Sequence, residues 1–394
     1  MDALPMPYEH ADERSPLLSS DQSPRPSRQC LRSCMQMCKP GSYVNLLIVF
    51  VPLGITAGFL DKSPALVFNL NFLAIASLSK LNNRRLCRLS AVLGPGGGGL
   101  LYALFDNAPL LIVGMAAIQN NSIRVIQSCI LGSVLANLLL VIGWCFFIAG
   151  IRHSESNFST SYASTTSSLM IVASSALVVP SALSEAQCRV DDDCEEALVR
   201  VSRSVSIALL VLFATYLHYR LRSHRALFMD PFDALSNRPM AELFWIGMAE
   251  AILLVGNLAL TSMSAYFLVR TLDAASDTRF ISDRMASFVL LPLATDGPSR
   301  LGAIVAAYQN KMPKAMDFAI SRSMHVALYV APVLVLFSWA IQSRSPMTLH
   351  FPTPETISIF LGTLLLAEVC RDGQADYLEG AMCLVMFMIL SFSF

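Results

Sequence analysis

Four charged residues stand inside stretches of sequence that are otherwise apolar: Asp106, Asp296, Arg300 and Arg322. A charge at membrane depth is expensive, faces the protein interior and marks an ion or proton pathway. Asp296 precedes Arg300 by four positions, a spacing at which helical side chains meet. Asp106 occupies the matching place, one position earlier, in a second and similar stretch. Carboxylates set there bind cations or protons, while guanidinium groups attract anions or neutralise the carboxylates from within the chain. A pairing of Asp106 or Asp296 with Arg300 or Arg322 would be an internal substitute for a bound cation. Pro298 interrupts regular helix geometry beside them, so the partners stay open. Glu250, His325 and Glu368 are further ionisable groups in apolar stretches. The two glutamates read as partners of neighbouring helices or as interface residues, and His325, one turn beyond Arg322, is a candidate to line the same cavity.

The elements that position these residues follow from composition. The chain is 54% hydrophobic and 14% charged, where soluble domains carry about 25% charged residues. So few charges cannot cover a water-soluble globule of this size. Basic and acidic residues number 28 each, so no basic field exists for nucleic acid. No nucleotide loop, metal triad or Ser-His-Asp arrangement points to an enzyme, and no cofactor is expected. From Tyr43 onward eleven apolar segments fall at 43–60, 64–81, 97–118, 123–150, 165–184, 204–221, 241–269, 284–309, 314–341, 354–370 and 376–394. Most reach the ~17–25 residues that a bilayer-crossing helix needs. The expected class is an all-α polytopic membrane protein embedded in lipid.

Residues 1–42 are rich in Pro, Ser and Arg and read as a disordered tail rather than a signal peptide. The tail holds Glu13-Arg-Ser-Pro-Leu17-Leu18, which resembles the dileucine sorting signals of proteins bound for vacuoles or lysosomes. Beyond it the expected units are 43–221, a linker at 222–240, and 241–394. Lys and Arg collect on the side of the tail and linker, with Lys80, Arg84, Arg85 and Arg88 taken as loop residues there, so that side is expected to be cytosolic. The acidic loop holding Cys188 and Cys194 then lies in the lumen, where the two thiols are a disulfide candidate.

An internal repeat organises the charged residues. Asp106-Asn107-Ala108-Pro109-Leu110 precedes a helix reaching Gln119-Asn-Asn, and Thr295-Asp296-Gly297-Pro298-Ser299 precedes one reaching Gln309-Asn-Lys. A second helix follows each, with Gly132-Ser133-Val in one and Ser321-Arg322-Ser323 in the other. The register is constant, since 299 − 110 and 321 − 132 both give 189. Two such units separated by an odd number of helices lie inverted in the membrane. Inverted repeats interrupted by Gly and Pro at matched positions mark a transporter's mid-membrane site.

At these residues the chain resembles the calcium/proton exchanger family of the sodium/calcium-exchanger superfamily. The resemblance is densest at Asn45-Leu-Leu-Ile-Val-Phe-Val-Pro, Ile123-Arg-Val-Ile-Gln-Ser, Leu131-Gly-Ser-Val-Leu-Ala-Asn137, Gly150-Ile-Arg-His, Val326-Ala-Leu-Tyr-Val-Ala-Pro and Tyr377-Leu-Glu-Gly. It implies an eleven-helix antiporter of the exchanger fold, usually in a vacuolar membrane, that moves calcium or another cation into the lumen against protons by alternating access. It also implies two motifs, Gly-Asn-Ala-x-Glu and Gly-Asn-Ala-Ala-Glu-His, whose glutamates supply a central site. By that resemblance the ion-site region here is Asp106, Asn107, Ala108, Leu110, Ser133, Asn137, Asp296, Gly297, Ser299, Arg300, Ser321, Arg322, Ser323 and His325.

The chain departs from the family at the carboxylate positions, which fall on Leu110 and Ser299. Arg300 stands for the histidine, Arg322 enters a Gly-Ser-Ser motif, and Tyr266 stands for a third carboxylate. Calcium takes about six to eight oxygens and needs anionic ligands, and nearby arginines would repel it. Three readings follow. The chain is an antiporter that uses Asp106 and Asp296 in place of the glutamates, or a transporter of another solute, anions included. The third is a transport-dead paralogue that regulates or assembles with an active exchanger; a homo-oligomer is a further partner expectation.

Overall fold

Glycine and proline punctuate the helices. The computed structural model describes residues 48–153, 156–187, 194–223, 240–276, 286–342 and 346–392. The sorting residues Glu13, Leu17 and Leu18, Cys188, and the side chain of Cys194 lie outside the described residues, as do the tail and most of the 222–240 linker.

Among the described residues eleven helices are present: α1 (Phe50–Phe59), α2 (Pro64–Gly94), α3 (Gly96–Gln119), α4 (Ile123–Arg152), α5 (Thr160–Gln187) and α6 (Cys194–His218, extended by a π-helical turn at Tyr219–Ser223). They continue as α7 (Met240–Ser276), α8 (a π turn at Ala286–Leu290, then Leu291–Tyr308), α9 (Met312–Ala340), α10 (Thr353–Val369) and α11 (Tyr377–Phe392). Prolines stand in the first turn of α2, α9 and α10, where a missing N–H is harmless and φ is already helical. By length and composition alone, α2–α7 and α9 are able to cross a bilayer. The chain is an all-helical polytopic membrane protein.

The repeat is visible in the backbone. Asn121 and Asn310 end matched hairpins with φ of 58° and 56°, a left-handed conformation that asparagine tolerates. The π turn inside α4, Ala136–Val141, has its counterpart inside α9 at Val326–Val330. Residues 189 apart also touch. Ser174 Oγ meets Thr363 Oγ1 at 3.1 Å, and Ser323 Oγ donates to the Val134 carbonyl at 3.4 Å. Repeat-related residues can meet only beside the pseudo-two-fold axis, so that axis runs between α4 and α9 and between α5 and α10. Accordingly α4 and α9 bury 67% of their most apolar window, and α7 only 17%. Gly132 lets α4 press against the carbonyl of Phe288, where any side chain would collide.

Two expected boundaries are corrected. The segment expected at 64–81 continues as helix to Gly94, so Lys80, Arg84, Arg85 and Arg88 are helical and not loop residues. The helix survives its charges because Glu250 of α7 accepts from Arg85 Nη1 and Arg88 Nη1, each at 3.0 Å. It ends only where Gly94 takes φ 76°. The segment expected at 204–221 starts at Cys194, so Arg200 and Arg203 are helical too. Arg203 rests over the Trp339 ring at 4.8 Å.

Candidate functional site

Four interrupted helices converge on the charged residues. In α3 the helix breaks at Asn107 (φ −98°, ψ 21°) just before Pro109, which puts Asp106 at the break. In α8, Pro298 lies within the helix and lacks the N–H that would bond the carbonyl four residues earlier. The π turns of α4 and α9 follow directly on Leu135 and His325. Such bulges re-aim side chains and are frequent at functional sites.

Arg322 is the hub. Its Nε donates to Asp106 Oδ2 at 3.0 Å, and its Nη2 to Asp106 Oδ1 at 2.5 Å and to the Asp106 carbonyl at 3.1 Å. Its Nη1 donates to Asp296 Oδ1 at 3.2 Å. Asp296 Oδ2 accepts from Ser133 Oγ at 2.8 Å and faces Arg300 Nη2 at 3.7 Å. Arg300 Nε in turn donates to Asn137 Oδ1 at 2.8 Å. All four charged side chains are 5% exposed or less. Two carboxylates and two guanidinium groups balance, with donors and acceptors matched as a planar fork requires. Burying ions is favourable only with such matching. The two repeats and α3, α4, α8 and α9 all contribute.

The remaining expected site residues are placed as follows. Asn107 is buried with both amide atoms lacking a hydrogen-bond partner. Ala108 and Leu110 pack in the apolar core, Leu110 with no exposure at all. Gly297 is buried in α8, and Ser299 Oγ accepts from Asn83 Nδ2 of α2 at 3.3 Å, away from the quartet. Ser321 turns to Arg220 and Asp317, and Ser323 bonds backbone carbonyls. His325 is buried against the rings of Phe213 and Tyr216, with neither ring nitrogen hydrogen-bonded. Among the described residues no group of three or more His, Cys, Asp or Glu is arranged to hold a metal. Sequence reasoning missed a second polar network of Tyr162, Tyr216, Arg220 and Asp317. The local signals were the four-residue spacings of Tyr216 with Arg220 and of Asp317 with Ser321.

A family model described as "Sodium/calcium exchanger protein" matches residues 63–222 and 250–394. The chain belongs to that family. This exchanger is 32% identical, over 100% of its chain and 95% of the relative, to "Vacuolar calcium ion transporter" of Schizosaccharomyces pombe. It is 32% identical to "Vacuolar cation/proton exchanger 3" of Oryza sativa subsp. japonica, over 90% of its chain and 85% of the relative. The solved structure of native YfkE superposes with a TM-score of 0.74 at 25% identity, covering 89% of this chain and 98% of the other. The crystal structure of the H+/Ca2+ exchanger CAX gives 0.70 at 15% identity, covering 93% and 89%, and establishes likeness of fold. The exchanger therefore sits in the calcium/proton (cation/proton) branch of the superfamily, a transporter family and not an enzyme family.

Proposed function

We propose that this exchanger is a vacuolar-membrane protein of the cation/proton-antiporter type, with a cytosolic N-terminus, whose central site is filled by its own guanidinium groups. Calcium transport is then weak or absent. The observation that carries this is Arg322 bridging Asp106 and Asp296 at 3.0 and 3.2 Å. The resemblance supports it, since the two carboxylate positions that it implies hold Leu110 and Ser299. A calcium ion entering here must displace Arg322 from both carboxylates and then share the cavity with a freed cation. Two unit charges about 4 Å apart interact by roughly 4 kcal/mol at an effective dielectric of about 20. The divalent ion would meet twice that repulsion from each guanidinium.

The balanced quartet counts against an anionic solute, because both guanidinium groups are already engaged by carboxylates. It favours one second reading, a regulatory paralogue that assembles with an active exchanger, because a self-neutralised site needs no ion. Proton-driven calcium-45 uptake into vesicles holding only this protein tests the proposal. Uptake near background is expected. Uptake matching that of an active calcium/proton antiporter would overturn it and make Asp106 and Asp296 the ligands.

A further inference from the structure

A second charged network lies beside the quartet but outside it. Arg220 of α6 donates from Nη2 to Asp317 Oδ2 at 3.2 Å, and from Nη1 to Tyr216 Oη at 2.9 Å and Ser321 Oγ at 2.6 Å. Asp317 Oδ1 accepts from Tyr162 Oη of α5 at 2.9 Å and from Ser321 Oγ at 3.0 Å. The network therefore stitches the last turn of α6 onto α5 and α9. That turn is the π-helical Tyr219–Ser223.

Exposure orders the two networks. The side chains of Arg220 and Asp317 are 15% and 18% exposed, whereas those of Arg322 and Asp296 are 3% and 1% exposed. Ser321 links them, bonded to Arg220 and adjacent in the chain to Arg322. One turn further along α9, His325 is buried with both ring nitrogens unbonded. An unbonded imidazole is expensive to bury, and this one is only 2% exposed. At the repeat-related position, 317 − 189, stands Ser128, which offers Glu355 of α10 a hydroxyl at 3.2 Å. The aspartate of the Arg220–Asp317 pair is thus not repeated at the related position.

We infer that Arg220 and Asp317, with Tyr162, Tyr216 and Ser321, form a one-sided gate at the membrane face where α6 ends. While closed, it keeps water and solutes of that face from His325 and Arg322. Opening parts the end of α6 from α9 and exposes the centre to that face. The gate rests on reading the quartet as the centre of the transport route. Its test reads accessibility and not transport, so the two can fail separately.

The probe is His325→Cys in reconstituted vesicles, labelled by a membrane-impermeant methanethiosulfonate from either face, with the parent chain as the blank for its own thiols. Slow labelling is expected while the gate is intact. Adding Asp317→Asn or Arg220→Gln should speed labelling at least tenfold from the α6-end face and leave the other face unchanged. Tyr162→Phe removes one bond to Asp317 without removing a charge. It should speed labelling severalfold, and it carries the test if the charge variants do not fold. The exchange of Arg220→Asp with Asp317→Arg should return labelling toward the slow rate. Equal rates in parent and gate variants that elute as single species would overturn the gate, as would equal acceleration from both faces.

Discussion

Arg322 grips Asp106 through both carboxylate oxygens and the backbone carbonyl, joining α9 of one repeat to the break in α3 of the other. The guanidinium thus does two things that a mobile cation would do. It compensates a buried carboxylate, and it satisfies a carbonyl left open where the helix is interrupted.

Removing one member should therefore hurt more than removing the set. Arg322→Ala leaves Asp106 without a counter-charge at 2% exposure, and breaking a buried pair typically costs about 3–5 kcal/mol. The combined Arg322→Met, Arg300→Met, Asp106→Asn and Asp296→Asn variant removes two charges of each sign together and should lose less. Thermal unfolding in detergent checks this. A midpoint for Arg322→Ala equal to the parent's would show that the pair contributes nothing.

Gly132→Ala should destabilise the packing of α4 on the start of α8, because the added methyl would meet the Phe288 carbonyl. Overpacking of this kind costs about 1–3 kcal/mol. The same measurement checks it, with Gly256→Ala as the control, since a side chain at Gly256 meets nothing. Equal midpoints for the two variants would contradict the close approach.

The fold was legible in the sequence for physical reasons. Bilayer thickness fixes helix length, and a strict register of 189 shows itself in the Asn107-Ala108-Pro109 and Asp296-Gly297-Pro298 breaks. The reach of α2 to Gly94 was not legible, because hydropathy stops at Lys80. The charges beyond it are tolerated only through Glu250, which comes 162 positions after Arg88. At the site, the residues that could pair were visible, but not which did so, since Arg322 meets Asp106 across 216 positions. Ser299 and Ser321 kept their register in the repeat, yet their hydroxyls turn to Asn83 and Arg220. Register fixes the turn of helix on which a residue sits, and the neighbouring helices decide its partner.

Targeting gives a prediction independent of the site. Changing Leu17→Ala and Leu18→Ala together should move a fluorescently tagged chain away from the vacuolar membrane. The predicted signal reads a dileucine pair four positions after an acidic residue, Glu13. Unchanged localisation would make the pair an accident of the tail.

The central site supplies the last prediction. If calcium is silenced by the loss of carboxylates at Leu110 and Ser299 together with the gain of arginines, restoring carboxylates alone should not suffice. Leu110→Glu with Ser299→Glu adds two anions while Arg300 and Arg322 remain as buried cations, and a guanidinium that pairs a carboxylate occupies the oxygens that calcium needs. Leu110 is also fully enclosed by apolar neighbours, so a lone glutamate there would be held by whichever cation lies nearest. Adding Arg300→His and Arg322→Ser removes that competition and leaves Asp106 and Asp296 free as well. The fourfold variant should show proton-driven calcium-45 uptake, with the parent and the double variant near background. Uptake by the double variant equal to that of the fourfold variant would mean that the arginines do not compete. Uptake by none of the three, in protein that remains folded, would place the block to calcium elsewhere in the chain.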